Sequence, residues 1–438
     1  MKHLIGLDVG TSSVKGVLMD SLGNILATVT KKHNYYTEDQ YKLLNADEFV
    51  DNCCNVIKEL GSKADGDIAA ICTSGASGNL MLKGEENSPI YGWQNSFSKD
   101  LVDKYIGQYN TEDFRNIVGW PKQYGFPLSA LLYVKETNPE MFKNADMICM
   151  NMEYLNFKLT GKWGITPSMG TPFFLIDQEK GEYHKDFLDI LGINEEKLPP
   201  IMPNCSVLGG LTEEVAKELG LSTETKVVLG TFDHPAAARG AGVFREDDAL
   251  LSCGTSWVLF VPYATRQEPL NNKMLVDPFM SPNGMWCGMK SIASVAVKIE
   301  NAQKKYFGEI SYKEFDSMVP YKDTEPVEID LDEPKDLPKN VNKAAVARGI
   351  VVAAAKKLKT MLDDLNLKAT EIKIVGGITN AKEWLEVISE VTGRKVTVVN
   401  GECAGAAGSA RFLTVQAFAV QTPFHQTQRL VLPTAAAE

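Results

Sequence analysis

Short apolar runs separated by turn residues fill the first 31 positions of the chain. Leucine, isoleucine and valine are concentrated in three segments, His3 to Gly10, Ser13 to Asp20 and Asn24 to Lys31. The breaks between them hold glycine, serine and threonine, which is typical of strands joined by tight turns. The pattern therefore predicts an antiparallel meander at the start of the chain.

Beyond the meander, apolar positions with helical spacing alternate with short strands of buried type. A helical pattern over Ala46 to Leu60 is followed by the apolar strand Ile68 to Cys72. The alternation recurs as strand, turn and helix over Asp146 to Thr160, and as the helix Glu213 to Leu219 before the strand Lys226 to Leu229. This order predicts a mixed α/β arrangement.

The meander pattern restarts in the second half of the chain. A helix of small residues over Asp233 to Gly242 is followed by strand, Gly-Thr-Ser turn and strand over Ala249 to Val261. A long Ala/Lys-rich helix and another strand and helix come later. We therefore predict two α/β domains, residues 1–243 and 244–438, while the pattern of Thr414 to Glu438 predicts no particular element.

Length and charge narrow the function classes. At 438 residues the chain is about twice as long as a single core usually sustains, in agreement with two domains. The net charge of -11 and the lack of a basic run disfavour nucleic-acid and anionic-membrane partners. No apolar leader and no window of about 18 apolar residues is visible, so we expect a cytoplasmic protein with no membrane partner.

The turn after the first predicted strand carries groups suited to a nucleotide triphosphate. Within residues 8–15, Asp8 at a strand end is followed by a glycine turn, the hydroxyls of Thr11, Ser12 and Ser13, and Lys15. Backbone N–H groups and hydroxyls of such a turn can bind phosphate oxygens, and Asp8 can hold a hydrated Mg²⁺. Taken alone, the segment fits an ordinary hairpin equally well.

Two later glycine turns fit the same chemistry. Gly254-Thr255-Ser256 repeats the strand, turn, strand arrangement without the acid or the lysine, so two turns would clamp phosphates from opposite sides. Gly376-Gly377 follows a strand, where a planar base can approach the backbone closely, although a plain strand-to-helix turn explains it better in isolation. The P-loop and dinucleotide-binding glycine motifs are absent from the sequence.

Asp233 is the candidate general base. It follows a predicted strand and begins the small-residue helix, with His234 beside it as a candidate substrate contact. The helix dipole would keep this carboxylate ionised and able to accept a hydroxyl proton. The simpler interpretation is an N-cap, because aspartate shortly before Pro235 is a common helix start.

Taken together in this order, these segments resemble the FGGY carbohydrate kinases, of the xylulokinase and gluconokinase kind, from Met1 to about Arg411. The resemblance implies two ribonuclease H-like domains of the actin-type ATPase fold, with an inter-domain cleft. It also implies ATP and Mg²⁺ as cofactors, the metal at Asp8 and catalysis by Asp233. The implied ATP contacts are Thr11, Ser12, Ser13, Lys15, Gly254, Thr255, Ser256, Gly376, Gly377 and Asn380.

The positions expected to bind the sugar depart from the family pattern. Ketopentose kinases carry S-G-Q-x-H-G and W-x-D-x-R, whereas this chain has Ser77-Gly78-Asn79-Leu80-Met81 and Trp93-Gln94-Asn95-Ser96-Phe97. An amide and a phenyl ring thus replace a charged pair, although Asn95 can still bind hydroxyls and Trp93 can still stack on a carbon skeleton. The substrate residues expected from the resemblance are Asn79, Trp93, Gln94, Asn95, Asp233 and His234.

We therefore expect a kinase that uses ATP to phosphorylate a hydroxyl of a sugar, sugar acid or polyol, with a homodimer as a candidate assembly. Two alternatives remain open. The altered positions 79 and 95–97 suggest a non-catalytic sugar-sensing protein that keeps the fold, but the retained Asp8, Lys15 and Asp233 argue against it. The other is an ATPase of the same superfamily that needs no sugar.

Overall fold

The computed structural model describes residues 2–279, 284–319, 324–338, 340–399, 403–418 and 429–431, with side chains as far as Arg411. The strands are β1 Lys2–Val9, β2 Ser13–Asp20, β3 Ile25–Lys32, β4 Tyr36–Glu38, β5 Tyr41–Leu44, β6 Asp67–Gly75, β7 Leu80–Lys83, β8 Ile90–Tyr91, β9 Met147–Met150, β10 Ile176–Asp177, β11 Glu182–Tyr183, β12 Val207–Gly210, β13 Lys226–Phe232, β14 Leu250–Cys253, β15 Trp257–Tyr263, β16 Leu275–Asp277, β17 Trp286–Ile292, β18 Glu371–Gly376, β19 Lys395–Val398 and β20 Arg429–Val431. The helices are α1 Ala46–Gly61, α2 Lys99–Ile106, α3 Thr111–Val118, α4 Phe126–Thr137, α5 Pro139–Asn144, α6 Asn151–Thr160, α7 Pro167–Gly170, α8 Lys185–Leu191, α9 Glu213–Leu219, α10 Asp233–Gly240, α11 Gln267–Asn271, α12 Val295–Phe307, α13 Tyr312–Met318, α14 Lys343–Asp364, α15 Lys382–Thr392 and α16 Ala404–Phe418.

The first of two compact units holds the chain up to Gly242 together with Ala264–Cys287 and helix α16. Its main sheet has the strand order β12-β13-β6-β1-β2-β3. Strands β1, β2 and β3 are consecutively antiparallel, which confirms the predicted meander, and β6 and β13 run parallel to β1. Most residues of β1 are buried, as expected for a central strand that is covered on both faces.

Helix α1 shows how local sequence sets an element that covers this sheet. The Asn45 side chain accepts hydrogen bonds from the N–H groups of Asp47 and Glu48, both at 3.0 Å. Such a cap satisfies donors that have no partner within the helix, and two acids in the first turn suit the helix dipole. The buried side of the helix, with Phe49 at its start, packs on β2 and β3. The helix therefore begins at Ala46, as the sequence predicted.

Helices α10 and α16 pack backbone against backbone. A Cβ atom at Gly408 would lie 1.9 Å from the carbonyl oxygen of Ala236, and one at Gly240 would lie 2.1 Å from that of Ala404. Only glycine permits this approach. The run of small residues in α10 therefore reflects a second helix of small residues that lies far away in the sequence.

The second unit repeats the strand arrangement of the first. Its sheet includes β15, β14, β18, β19 and β20 in that order. Strand β14 is antiparallel to β15 and parallel to β18, as β1 is to β2 and β6, and β18 and β19 are again parallel. The predicted restart of the meander and the α/β class are confirmed, whereas the domain limit near residue 243 and the inter-domain cleft stay predictions.

The end of the chain contains more structure than the sequence predicted. Helix α16 continues through Phe418, and β20 pairs antiparallel with β19. The sequence had predicted no particular element for these residues, and the remainder of the tail lies outside the described residues. No helix in the described parts of the chain is both long enough and apolar enough to cross a membrane.

Candidate active site

Asp8 and Asp233 lie at the same edge of the first sheet, although they are far apart in the sequence. Asp8 is the penultimate residue of β1, and Asp233 directly follows β13. Strands β1, β6 and β13 are parallel, and the carboxyl ends of parallel strands meet at one edge. Burial and, to a smaller extent, the charge of Asp233 raise the pKa of Asp8 to about 7, while Lys15 opposes the shift. The structure thus brings the predicted metal ligand and the predicted base together.

The first turn of α16 packs on the Asp8 carboxylate. A Cβ atom at Gly405 would lie 2.5 Å from Oδ2 of Asp8, so no larger residue fits there without displacing the acid. On the other side, Lys15 is the cross-strand partner of Asp8 in the pairing of β1 with β2. Sequence reasoning missed Gly405, because nothing in the local sequence relates residue 405 to residue 8.

Aromatic side chains hold the predicted phosphate turn. The Gly10 N–H donates to the Ser13 carbonyl at 3.0 Å and closes the turn. The Thr11 hydroxyl accepts a hydrogen bond from Trp93 Nε1 at 2.9 Å, and the Thr11 carbonyl accepts one from the Tyr35 hydroxyl at 2.8 Å. A predicted ATP residue is therefore joined to a predicted sugar residue. Tyr35 was not predicted, because a lone tyrosine gives no sequence signal.

Ser12, Ser13 and Lys15 remain accessible beside this turn. The Ser12 side chain is exposed, and those of Ser13 and Lys15 are half-buried. The Ser12 carbonyl is held by the N–H of His33 at 3.0 Å, so the backbone of the turn is fixed while its hydroxyls stay available. This arrangement suits a site that binds phosphate oxygens.

In the second unit, the two predicted glycine turns are neighbours. Cys253 pairs with Gly376 where β14 and β18 run parallel, so residues 254–256 and 377–380 follow adjacent strand ends. The Ser256 hydroxyl accepts a hydrogen bond from the N–H of Ser294, the residue before α12, at 3.0 Å. The structure therefore gathers the predicted ATP residues of this half into one group.

The turn that begins at Gly377 is a short 3-10 helix rather than the start of α15. The Thr379 hydroxyl donates to the Gly376 carbonyl at 2.7 Å, and Asn380 Nδ2 lies 3.4 Å from the Gly377 carbonyl. These bonds keep the two glycines in an open turn ahead of the helix. The predicted strand-to-helix turn is thus present, with one extra helical turn inserted.

The amides of Asn79 and Asn95 are already engaged by the protein. Asn95 Oδ1 accepts from the Lys42 N–H at 2.8 Å, and its Nδ2 donates to the Lys42 carbonyl at 2.9 Å. Asn79 Oδ1 accepts from the Trp93 N–H at 3.0 Å, and its Nδ2 lies 3.3 Å from the Ala76 carbonyl. Asn95 is 7% exposed and Asn79 is 4% exposed. They therefore shape the wall around Trp93 instead of presenting free amides.

Trp93 is the exposed member of an aromatic wall that leads toward the base. It is 39% exposed and stacks on Phe126, with ring centroids 6.3 Å apart. Phe126 has a φ of 60°, an uncommon conformation for a bulky residue that is found at functional sites. Trp120 contacts both Phe126 and Phe232, and Phe232 contacts His234. Gln94, beside Trp93, is exposed.

Phe97 occupies a buried aromatic cluster. Its ring lies 5.1 Å from that of Tyr41 and 5.3 Å from that of Tyr133. An arginine at this position, as in the ketopentose kinases, would place a charge among apolar rings, which is costly. The departure from the W-x-D-x-R pattern is therefore built into the packing of the unit.

Asp233 is the first residue of α10, and Phe232 occupies the N-cap position. Asp233 Oδ1 accepts a hydrogen bond from the N–H of His234 at 2.7 Å. The simpler interpretation of Asp233 as the N-cap is therefore wrong, because its carboxylate lies one residue inside the helix. With Oδ1 held in this way, Oδ2 is the oxygen available to accept a proton.

Comparisons with known proteins agree with this architecture. The N-terminal domain model of the FGGY family of carbohydrate kinases matches residues 3–240, and the C-terminal domain model of that family matches residues 320–417. The xylulose kinase of Lactococcus lactis is 28% identical over 274 residues, which cover 59% of this chain and 53% of that protein. The chain thus spans about half the length of the curated relatives it matches.

Solved structures show the same fold. The xylulose kinase of Rhodospirillum rubrum superimposes with a TM-score of 0.88 at 22% identity, covering 99% of this chain and 94% of that one. The gluconate kinase of Lactobacillus acidophilus gives a TM-score of 0.86 at 22% identity, with the same coverage. The expected fold class, two α/β domains of the actin-type ATPase kind, is confirmed. The chain belongs to the FGGY family of carbohydrate kinases.

Proposed function

We propose that this protein uses ATP to phosphorylate a hydroxyl group of an uncharged sugar or polyol. The observation that carries the proposal is the shared sheet edge at which Asp8, Lys15 and Asp233 meet beside the turn of Thr11, Ser12 and Ser13. A metal-binding carboxylate, a hydroxyl turn and a second carboxylate are the parts that phosphoryl transfer to an alcohol requires. Membership of a carbohydrate kinase family supports the same reaction.

The residues present fit a magnesium ion that arrives with the nucleotide. Among the described residues, no group of three or more His, Cys, Asp and Glu side chains could hold a metal by itself. Mg²⁺ commonly takes one or two carboxylates, with waters and substrate phosphates completing its coordination. Asp8, with Asp233 nearby, matches that requirement. When bound, the ion would neutralise charge on the phosphate groups.

Nucleotide contacts are assigned to the turns that the sequence singled out. Ser12, Ser13 and Lys15 lie beside Asp8, where their hydroxyl and ammonium groups can bind phosphate oxygens. In the second unit, residues 254–256 and 376–380 form one group of backbone donors and hydroxyls. Each group is suited to phosphate or to the close approach of a nucleoside.

An uncharged acceptor follows from the side chains around Trp93. The amides of Asn79 and Asn95 are hydrogen-bonded within the protein. Phe97 stands where the ketopentose kinases have a charged arginine. What remains is the exposed Trp93 ring, which can stack on the carbon face of a polyol. Gln94 and His234 would supply hydrogen bonds to hydroxyl groups. A sugar acid would lack a cationic partner among these residues.

Asp233 would orient the attacking hydroxyl and take its proton. Its Oδ1 is fixed by the His234 N–H, so Oδ2 is presented as the acceptor. A base of this kind acts by position, because phosphoryl transfer is mostly alignment and charge stabilisation. The homodimer named above stays a prediction.

ATP consumption tests the proposal against its alternatives. The purified chain would be assayed with ATP and Mg²⁺ against D-xylulose, D-gluconate, glycerol and related alditols, with phosphorylated product detected by mass spectrometry. We expect product from a neutral ketose or alditol and little from gluconate. ATP hydrolysis that does not depend on any acceptor would favour an ATPase. Acceptor binding without turnover would favour a sugar-sensing protein.

A further inference from the structure

The end of β13, which delivers Asp233, departs from regular sheet geometry. Its pairing with β6 is irregular between Leu229 and Phe232, and its pairing with β12 extends only to Val228. Such irregularities redirect a side chain and are common next to active sites. The register skips Gly230 and Thr231 and resumes where Phe232 pairs with Gly75, so the backbone groups at this point need partners outside a regular ladder.

Three buried hydroxyl side chains bind consecutive backbone groups at this point. The pairs are Thr166 Oγ1 to the Gly230 carbonyl at 2.9 Å, the Thr231 N–H to Ser74 Oγ at 3.1 Å, and the Phe232 N–H to Ser168 Oγ at 3.2 Å. All three hydroxyl residues are buried. A buried polar group without a hydrogen-bond partner lowers the stability of the folded state. The network therefore favours the one conformation of the strand end in which all of these groups are paired.

Ser168 continues the network to a buried acid. Its hydroxyl donates to Oδ2 of Asp277 at 2.8 Å, and Asp277, the last residue of β16, is 0% exposed. Burial raises the pKa of Asp277 to about 7, against the effects of the Ser168 hydrogen bond and the charge of Arg239. Arg239 Nη1 also donates to the Thr231 hydroxyl at 2.6 Å. Thr231 is thus hydrogen-bonded to the buried Arg239, and Phe232 is linked through Ser168 to the buried Asp277.

The direction of the Ser168 hydroxyl proton decides what the serine can do. A hydroxyl has one donor and two acceptor lone pairs, and it rotates to suit its surroundings. Asp277 takes the proton, which leaves a lone pair of Ser168 for the Phe232 N–H. Without Asp277, the hydroxyl could turn away and leave that N–H unpaired.

We infer that Ser168, oriented by Asp277, is a positioning residue for phosphoryl transfer: it fixes the Phe232 amide and, through it, the direction of the Asp233 carboxylate. The inference rests on the proposed role of Asp233 as the base. A shift of about 1 Å in a catalytic group can reduce turnover by up to about 10²-fold. The serine acts through the backbone, so its loss should affect turnover more than the binding of the acceptor.

A matched control exists at the opposite end of the same strand pair. The Thr225 hydroxyl donates to the Ile68 carbonyl at 2.7 Å, and Thr225 is 1% exposed. Thr225→Val therefore also removes one buried hydroxyl and one hydrogen bond to the backbone. A purely structural role for Ser168 predicts that Ser168→Ala and Thr225→Val lower stability and turnover alike.

The full-length variants would be compared in steady-state kinetics with ATP, Mg²⁺ and the panel acceptor that gives the highest turnover. We expect Ser168→Ala to lower kcat about tenfold or more with the acceptor KM within about twofold of the parent. Thr225→Val should keep kcat near the parental value. Asp277→Asn, which keeps an oxygen that can accept the serine proton, should retain more turnover than Asp277→Leu. If Ser168→Ala does not fold, the comparison of Asp277→Asn with Asp277→Leu tests the inference in its place.

Hydrogen exchange of the Phe232 amide gives a second readout that is independent of activity. Exchange should accelerate at least about tenfold in Ser168→Ala but stay unchanged in Thr225→Val. Equal kcat for these two variants, or unchanged Phe232 exchange, would overturn the inference. If the parent phosphorylates no acceptor, the proposed function fails instead, and the exchange rates alone decide whether Ser168 and Asp277 hold the strand end.

Discussion

At the residue scale, the site depends on two carboxylates in different surroundings. Asp8 is packed between Lys15 and the backbone at Gly405, and burial raises its pKa to about 7. Asp233 has one oxygen bound by the His234 N–H and the other available. Two acids in unlike environments commonly divide their roles. Under the proposed function, Asp8 would face the metal and phosphate groups and Asp233 would face the acceptor hydroxyl.

We expect Asp233→Asn to reduce kcat by at least about 10²-fold, the lower range for a positioned general base. Asparagine keeps the Oδ1 that accepts the His234 N–H, so folding and the affinities for both substrates should change little. Steady-state kinetics and calorimetric binding check these outcomes. Turnover close to that of the parent would remove Asp233 from the mechanism.

Asp8→Asn should abolish turnover and also change how stability depends on pH. The folded chain keeps the Asp8 proton until about pH 7, whereas the unfolded chain releases it near the ordinary pKa of 3.8. The stability that this proton provides is full below about pH 4 and is lost as the pH rises through 7. The variant cannot ionise, so its stability relative to the parent should increase over that window, by on the order of 4 kcal/mol at most.

Glu153→Gln is the control for this experiment. Burial raises the pKa of Glu153 to about 7 as well, and the residue lies at the start of α6, outside the proposed chemistry. Denaturant unfolding between pH 4 and 8 should show a similar gain in stability for this variant, with turnover retained. A parent and an Asp8→Asn variant with parallel stability profiles would contradict the burial of Asp8.

At the element scale, the site is assembled by strands that end together and by two helices that touch. Strands β1, β6 and β13 bring residues 8, 75 and 233 to one edge. Helix α16 reaches Asp8 because it packs on β1 and lies directly on α10. Local sequence sets each strand and helix, but the chemistry arises where their ends meet.

Gly408→Ala should destabilise the protein by about 1–3 kcal/mol, the usual cost of overpacking. The added methyl group would lie 1.9 Å from the Ala236 carbonyl oxygen and force α16 away from α10. Gly84→Ala is a suitable control, since its nearest neighbour would be at 3.4 Å, in ordinary contact. Urea unfolding measures both, and similar midpoints for the two variants would show that the helices are not closely packed in solution.

At the scale of the whole molecule, the first unit is not continuous in sequence. It closes only with residues 264–287 and helix α16, which follow the start of the second unit. Ala406, Ala407 and Ala410 of α16 belong to the same core cluster as Leu4 and Val228. Residues 1–243 by themselves therefore lack helix α16, which belongs to the first core.

A fragment of residues 1–243 should consequently fail to fold cooperatively. It lacks α16, so the core side of β1 and the glycine surface of α10 would be exposed to water. Joining residues 403–418 to the fragment through a flexible linker should improve solubility and restore a sharper thermal transition. Circular dichroism and dye binding to exposed apolar surface would follow this, and a fragment that melts cooperatively without α16 would contradict it.

Much of the fold could be read from local patterns in the sequence. The meander, helices α1 and α9 and the restart at β14 were predicted because apolar spacing and capping residues act over a few positions. The chemical groups were recognised in the same way: Asp8 and Lys15 flank a glycine turn, and Asp233 begins a helix of small residues. Sequence therefore determined the element types and the identity of the candidate chemistry.

The tertiary structure decided which of these groups meet and which are already engaged. It brought Gly405 to Asp8 and joined Trp93 to Thr11, and it bound the amide of Asn95 to the backbone of Lys42. These contacts link residues that are distant in the sequence, and no local propensity encodes them. They form only when burial of the apolar faces fixes the strand register and the helix positions, which is why the sequence alone could not supply them.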